Sequence, residues 1–542
     1  MSIPIATIAS AVLSLRGLTW VAFIFLVSYC IYSLHIKPLL SPLRHLPAPK
    51  QGFLWFRLLK EPKAVEIERW MDELPHDGLF RYYGIFNRQR IFTASPKATA
   101  DLLHGPNAFK YIKPKLQFIL ANNIAGKGLL IQEREENKHA RKGLIPAFNP
   151  DQIRKSFPDM WKTAVETIEA LPNYTEKMAL GDNGCNSTEV VELLKLISAA
   201  SIDIIGHFAY STDFKAIQIN APKYKRHALK SPNSIFARAY VEMFKTTWRG
   251  QRSLEAASLI GANIALALPL RAVKTIKSIM ALVWQVSENI VTEHERAAEY
   301  QNGRDPRGHA QRGDAVRGLS HRDLVTQTVH FLAAGTETVA GSASWAVHLL
   351  SRHPEMQTRL RDEVRAAIPD PNAPQQQATL RSLSYLGAVV QEVLRYHSIN
   401  TLLWRECVDP TASEICGVYI PKGTVVVFSP WAMNRDPKSW GPDARTFNPD
   451  RWLGPADQQE KHRRHPCSFL TFGSGPRRCP GEPYARDELL CLIASLVGRY
   501  HFSPLRPEAE SDEGQEIGDD FALTLFKIYE GWRLMVTRVP GW

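Results

Sequence analysis

Cys479 stands in the run Phe472-Gly473-Ser474-Gly475-Pro476-Arg477-Arg478-Cys479-Pro480-Gly481. A lone cysteine is more often a buried small hydrophobe than a ligand. Here Gly475, Pro476 and Gly481 predict a tight turn whose backbone can approach something large and flat. Pro480 suits the first turn of a helix, and Ala485, Leu489, Leu492, Ile493 and Leu496 continue at helical spacing. The sulfur is therefore expected near a helix N-terminus, where free N–H groups and the helix dipole favour a thiolate. A thiolate in a snug apolar loop is a soft ligand with room for one large partner, unlike a tetrahedral zinc cage.

Two further groups have chemical potential. In Ala334-Gly335-Thr336-Glu337-Thr338, small residues would let a flat ligand near the backbone, and acid and hydroxyl groups could pass protons. Alone, this run reads more readily as a kink on a surface helix. Glu392 and Arg395 share a helix face; such pairs are usually exposed and worth tenths of a kcal/mol. Their neighbours Ala388, Val389, Val390, Val393 and Leu394 leave little polar surface, so a buried pair would need further partners. Arg451, in Phe447-Asn448-Pro449-Asp450-Arg451-Trp452, is the natural third member.

The elements that must position these residues follow from pattern. Ser320-His321-Arg322-Asp323 is a capping-box-like start for a long helix running past Thr338 to Leu349. Helical patterns fill most of 150–300 and resume at 354–367 and 383–396; residues 80–97, 402–405 and 417–428 have strand character. The polar, Gly-rich stretch 302–318 reads as an exposed loop, and Ala256–Leu270 as a core helix or a membrane-dipping segment. Residues 18–36 carry no formal charge; nineteen helical residues span about 28 Å, close to the ~30 Å hydrocarbon thickness. A proline-rich stretch, Ser41-Pro42-Leu43-Arg44-His45-Leu46-Pro47-Ala48-Pro49, follows without a cleavage site, which favours an uncleaved anchor over a signal peptide. Arg16 precedes the span, and Lys37, Arg44 and Lys50 follow it, leaving the C-terminal part in the cytosol. The sequons at Asn173 and Asn186 would then go unused.

Composition narrows the class. With 44% hydrophobic and 10% aromatic residues, a large core is possible. The formal charge of +12 fits an anionic membrane surface or an acidic protein partner; no nucleic-acid motif appears, so no nucleic-acid partner is expected. Seven scattered cysteines without a CxxC pair exclude a disulfide framework and metal-finger spacing.

Taken together, the motifs resemble the cytochrome P-450 family of haem-thiolate monooxygenases. Phe472, Gly475, Arg477, Cys479 and Gly481 fill every fixed position of its FxxGxRxCxG signature. Ala334–Thr338 is similar to its oxygen-activation motif, Glu392 and Arg395 to its ExxR, and 447–452 to the segment supplying the second arginine. The order and separations match over about residues 40–540, most like membrane-anchored microsomal members of filamentous fungi. The resemblance implies a mainly α fold with small β-sheets, the cytochrome P-450 fold, preceded by one N-terminal transmembrane helix. The expected organisation is a tail at 1–17, anchor at 18–36, hinge at 37–50 and monooxygenase domain at 51–542, on the endoplasmic reticulum membrane, single-pass, with the catalytic domain cytosolic.

The roles it implies are specific. Cys479 would be the axial ligand of haem b (iron-protoporphyrin IX), with Phe472, Gly475 and Gly481 shaping its loop. Arg477, Arg405 and Arg141 would bind haem propionates; Thr338 and Glu337 would support proton delivery; Glu392, Arg395 and Arg451 would be structural. Two departures stand out: Asn137 replaces a tryptophan four residues before Arg141, leaving a propionate contact in question with His139 nearby, and Ser398 replaces a proline. Pocket candidates by family position are about 113–128, Phe331, Ala334, Ile399 to Leu403 and Phe521 to Leu525, with Asn400, Thr401 and Thr524 polar. No nucleotide-binding glycine motif or flavin segment is visible, so electrons are expected from NADPH through a separate NADPH-cytochrome P-450 reductase. That partner could dock on Lys138, Arg141, Lys142, Lys461, Arg463, Arg464 and Arg478. The expected reaction inserts one atom of O2 into a lipophilic small molecule reached through membrane lipids, in secondary-metabolite biosynthesis. Rival readings are a haem-thiolate isomerase or dehydratase needing no external electrons, and a non-catalytic haem- or lipid-binding membrane protein.

Overall fold

The computed structural model describes residues 19–542 except 26, 53–60, 115–121, 123–124, 181–185, 223–230, 244–270, 303–318, 411–412, 456–464, 506–516, 520–525 and 529–532. Ala256–Leu270, the glycine-rich stretch after residue 302, Lys461, Arg463, Arg464, Phe521 to Leu525 and most of 113–128 lie outside the described residues.

The chain forms two units. The first takes residues 1–111 and 404–428. It holds α1 (Ala64–Glu73), α2 (Pro96–Leu103) and a five-stranded sheet. The strand order is Leu79–Gly84, Arg88–Thr93, Val425–Phe428, Leu403–Cys407, Tyr111–Ile112. The first two strands are antiparallel, and the second pairs in parallel with Val425–Phe428. Phe80 and Phe92 sit opposite each other, fully buried, with ring centroids 4.9 Å apart. At the N-terminus an apolar helix over Thr19–Ile31 exposes Trp20, Val21, Phe23 and Phe25. It passes into a π-helical turn at Tyr32–Ile36, where the Lys37 N–H donates to Tyr32 O, and then into Lys37–Leu39. Helical backbone thus extends three residues into the expected hinge. Pro38 brings no amide donor, and the widened turn accommodates it.

The second unit takes residues 112–403 and 429–542. Its helices are α3 (Arg134–Leu144), α4 (Pro150–Ala170), α5 (Leu193–Tyr210), α6 (Arg271–Asn302), α7 (His321–Arg352), α8 (Pro354–Ala367), α9 (Ser384–Tyr396) and α10 (Glu482–Arg499). A four-stranded antiparallel sheet runs in the order Tyr500–Pro504, Arg533–Arg538, Asn186–Glu192, Thr175–Leu180. Helix α5 is apolar and long enough to cross a membrane, but 67% of it is buried, so it is a core helix. It packs against α7 and α4. Helix α7 starts where Ser320 and Asp323 close a reciprocal capping box, and most of its residues are buried. Helix α10, buried from Asp487 to Arg499, packs on α4, α7 and α8.

Candidate active site

The cysteine loop is shaped by hydrogen bonds that its glycines permit. Gly473 and Gly475 both have φ of +70°, a left-handed conformation that side chains disfavour. Gly475–Arg477 forms one 3-10 turn, and the Cys479 N–H then donates to Phe472 O at 2.8 Å, closing the loop. Helix α10 begins only at Glu482, with Gly481 at the N-cap. Pro483, not Pro480 as the sequence suggested, occupies the first helical turn. Closure of the Cys479 amide onto Phe472 keeps Pro480 outside the helix.

Cys479 is solvent-accessible, yet protein atoms crowd around it. That desolvation pushes its thiol up, while the Gly481 N–H, Arg141 and Arg478 pull the other way. In the protein alone, burial therefore outweighs the helix-end effect expected from sequence. A bound metal ion reverses this balance, because a coordinating thiol is deprotonated. Arg478 is paired with Glu482 at 2.7 Å, and Glu482 also holds Arg486 at 3.0 Å. Arg477 is clasped by the Glu133 carboxylate and donates to Gln132 O at 2.6 Å. Arg141 Nη2 donates to Arg478 O at 2.9 Å, tying α3 to the loop, and burial pulls its guanidinium down from its ordinary value. Arg405 lies in the first unit, where it donates to Trp404 O at 2.8 Å and covers the Phe428 ring at 5.6 Å.

A buried charged brace stands behind the loop. The Arg395 guanidinium donates to both Glu392 oxygens at 2.8 and 2.7 Å, and both side chains are fully buried. Arg395 also donates to the carbonyls of Asn434, Ala444 and Thr446. Glu392 accepts from Arg451 Nε at 3.1 Å, Trp452 Nε1 at 2.9 Å and the Asn448 amide at 2.9 Å. Such full pairing is what a buried charge requires. The brace reaches the cysteine loop through Asn434. Its side-chain Nδ2 donates to Thr471 Oγ1 at 2.7 Å and its side-chain Oδ1 accepts from Leu470 N at 2.8 Å, while Thr471 Oγ1 donates to Leu394 O at 2.5 Å.

Helix α7 carries a window in an otherwise buried helix. Ala333 and Ala334 are exposed, with Gly335, Glu337 and Thr338 half-buried beside them. The helix runs unbroken through this stretch. A Cβ at Gly335 would lie 3.0 Å from Ile205 Cδ1. This glycine admits α5, and the alanines just before it are exposed. Thr338 Oγ1 donates to Ala334 O at 2.8 Å. Phe148 links the window to the cysteine: its ring is 5.4 Å from that of Phe331 and 3.8 Å from a Cβ built on Gly481, which itself would be 3.9 Å from Cys479 Sγ.

The donor set fits one large planar metal complex with anionic edges. It offers a single accessible soft ligand, Cys479, guanidinium groups at Arg141 and Arg477, and an aromatic side at Phe148 and Phe331. Among the described residues, no cluster of three His, Cys, Asp or Glu side chains could cage an ion.

The family model described as Cytochrome P-450 matches residues 77–524, so the chain belongs to the cytochrome P-450 family. It is an oxidoreductase of the monooxygenase type, a class that carries haem on a cysteine thiolate. It is 32% identical over 526 residues to cytochrome P-450 monooxygenase sphH of Aspergillus fumigatus, covering 93% of this chain and 92% of that protein. It is 31% identical over 544 residues to cytochrome P-450 monooxygenase FUM15 of Gibberella moniliformis, covering 90% and 87%. The crystal structure of a cytochrome P-450DA haem domain superposes with a TM-score of 0.68 at 19% identity, over 91% of this chain and 97% of that one, showing a shared fold.

Sequence reasoning missed Asn434 and Thr471, and it missed Gln327 and His330 on α7. Gln327 Oε1 accepts from Leu129 N at 2.8 Å, and His330 Nε2 lies 2.9 Å from Gly126 O and 3.1 Å from Gly128 N. The available signal was two polar side chains three apart, one turn before the Ala334 motif. Asn137 is buried and donates to Leu129 O at 3.1 Å; His139 is exposed. Ser398 is buried and donates to Asn400 O at 3.1 Å.

Proposed function

We propose that Cys479 is the axial haem ligand of a membrane-anchored monooxygenase that oxidises a lipophilic small molecule in secondary-metabolite biosynthesis. The observation that carries this reading is the accessible Cys479 thiol, with Phe148 packed between its loop at Gly481 and Phe331 of α7. When bound, the haem supplies reductive activation of O2 and insertion of one oxygen atom. The chain's own residues do the rest. Arg141 and Arg477, both in the second unit, hold anionic haem edges. The window at Ala333 and Ala334 gives substrate an apolar seat against α7. Thr338 parks its proton on Ala334 O, leaving its oxygen to accept from water, and Glu337 beside it exchanges protons with solvent. Glu392, Arg395 and Arg451 hold the cysteine loop in place from behind.

Electrons come from NADPH through a separate reductase, which docks over α3, where Lys138 and Lys142 are exposed, and Arg478. The exposed apolar side chains of Thr19–Ile31 anchor the chain in the endoplasmic reticulum membrane and bring it to substrates dissolved there. The test is Cys479→Ala. The wild-type chain should show the thiolate-type carbonyl spectrum when reduced, and the variant should lose both this spectrum and turnover. A variant that keeps the spectrum refutes the assignment.

A further inference from the structure

Loop 126–132 is held from two sides. From α7, Gln327 Oε1 accepts the Leu129 amide, and His330 Nε2 meets both Gly126 O and Gly128 N. The histidine ring can donate to the first or accept from the second according to its tautomer, so either form grips the loop. The fit is close: a Cβ at Gly128 would come within 2.3 Å of His330 Cδ2, and one at Gly126 within 3.1 Å of Thr326 and Trp284. From the opposite side, Asn137 of α3 donates to Leu129 O, and Arg477 of the cysteine loop donates to Gln132 O. His330 precedes Ala333 and Ala334 by three and four residues and therefore shares their helix face. The loop thus spans from the margin of the α7 window to the cysteine loop.

We infer that Gln327 and His330 are positioning residues that fix loop 126–129 as one wall of the substrate space, and so set how large a ligand binds above the iron. The inference rests on the haem reading of the site. Neither residue touches the reacting atoms; both act through the backbone they hold.

The test uses the full haem-loaded chain with Gln327→Leu, His330→Leu and His330→Gln, the last keeping a donor and an acceptor. Amide exchange at Gly128 and Leu129 should quicken at least about tenfold in the leucine variants, because each bond lost removes its protection. Spectral titration with two iron ligands reads the wall. Binding of clotrimazole, bulky enough to reach it, should weaken about tenfold in the leucine variants, while imidazole, which is too small, should bind within about twofold of wild type. His330→Gln should restore much of the clotrimazole affinity. Should His330→Leu fail to take up haem, Gln327→Leu carries the same test. A wild-type chain without the thiolate carbonyl spectrum overturns the haem reading and this inference with it. A wild-type chain that shows the spectrum, with variants binding clotrimazole unchanged or losing both ligands equally, overturns the wall alone.

Discussion

Arg395→Ala should release haem and destabilise the protein far more than Arg451→Ala, although both arginines bind the same carboxylate. The difference follows from what each leaves behind. Without Arg395, Glu392 keeps Arg451, Trp452 and the Asn448 amide, but the buried carbonyls of Asn434 and Ala444 and the part-buried carbonyl of Thr446 lose a charged donor. At about 1 kcal/mol for each orphaned acceptor, plus a weakened buried ion pair, the loss is about 4 kcal/mol. That is a large fraction of the ~5–15 kcal/mol of a typical domain. Without Arg451, Glu392 keeps both short bonds to Arg395, Asp443, whose side chain is 43% exposed, turns to water, and the carbonyls of Asp443 and Trp440 lose a part-buried bond of 2.9 Å and a long one of 3.4 Å. The expected loss there is about 1–2 kcal/mol. The gap of about 2 kcal/mol is a ~30-fold difference in the unfolding equilibrium. Urea unfolding followed by tryptophan fluorescence measures it, and the carbonyl spectrum measures haem retention. Loss of haem is expected because Arg395 holds Asn434 O, and Asn434 in turn holds Leu470 and Thr471 at the start of the cysteine loop. Equal losses for the two variants, or an Arg395→Ala protein fully loaded with haem, would refute the reasoning.

Thr338→Ala should keep haem but consume NADPH without matching product, since positioned proton transfer is worth about 10²–10⁴-fold; unchanged coupling would remove Thr338 from the mechanism. Burial pushes the Glu488 carboxyl from 4.5 up to about 8, against weak opposition from Ser201 and Tyr484. Between those values the folded state holds a proton that the unfolded chain has lost, so stability should fall as pH rises through that window and level off above it. Glu488→Gln should flatten this slope; urea midpoints of variant and wild type that fall in parallel between about pH 5 and about pH 8 would exclude Glu488 as its source. Turnover with a reductase should drop steeply as salt rises from about 0.1 M to about 1 M, where the screening length shrinks from ~10 to ~3 Å; salt-insensitive transfer would argue against docking on α3.

What could be read from the sequence was what lies close along the chain. The cysteine loop closes between residues seven apart, Phe472 and Cys479, and its glycines and proline announce a turn. The capping box at Ser320 joins residues three apart and marks the start of α7 correctly. Ambiguity began where two residues satisfied one rule. Pro480 and Pro483 both suit a helix start, and only the Cys479–Phe472 closure decides between them. Gly335 read from sequence as room for a flat ligand or as a kink, and its packing against Ile205 of α5 left no local sign. The Glu392–Arg451 bond joins residues 59 apart, which local pattern does not pair; a buried pair's need for a further partner made Arg451 a candidate. The contacts of Gln327 and His330 bridge 198 and 202 residues to backbone atoms that leave no mark on side-chain identity.

Asn137 shows how a departure from a motif gains meaning in three dimensions. By resemblance, the position calls for a tryptophan whose ring N–H would reach a haem propionate, and asparagine reads as a loss. In the structure its side chain is buried and its amide donates to Leu129 O, the carbonyl of the residue whose N–H is held by Gln327. The two faces of one loop residue are thus fixed by α3 and α7. An exposed asparagine would have left the propionate contact merely missing. A buried one has exchanged it for a loop contact, so on the proposed reading the anionic edge falls to Arg141 and Arg477, both anchored within the cysteine loop and its neighbours. Restoring the ring as Asn137→Trp should therefore loosen the 129 carbonyl rather than improve haem binding, because the indole has one donor and far more volume than the buried site accommodates.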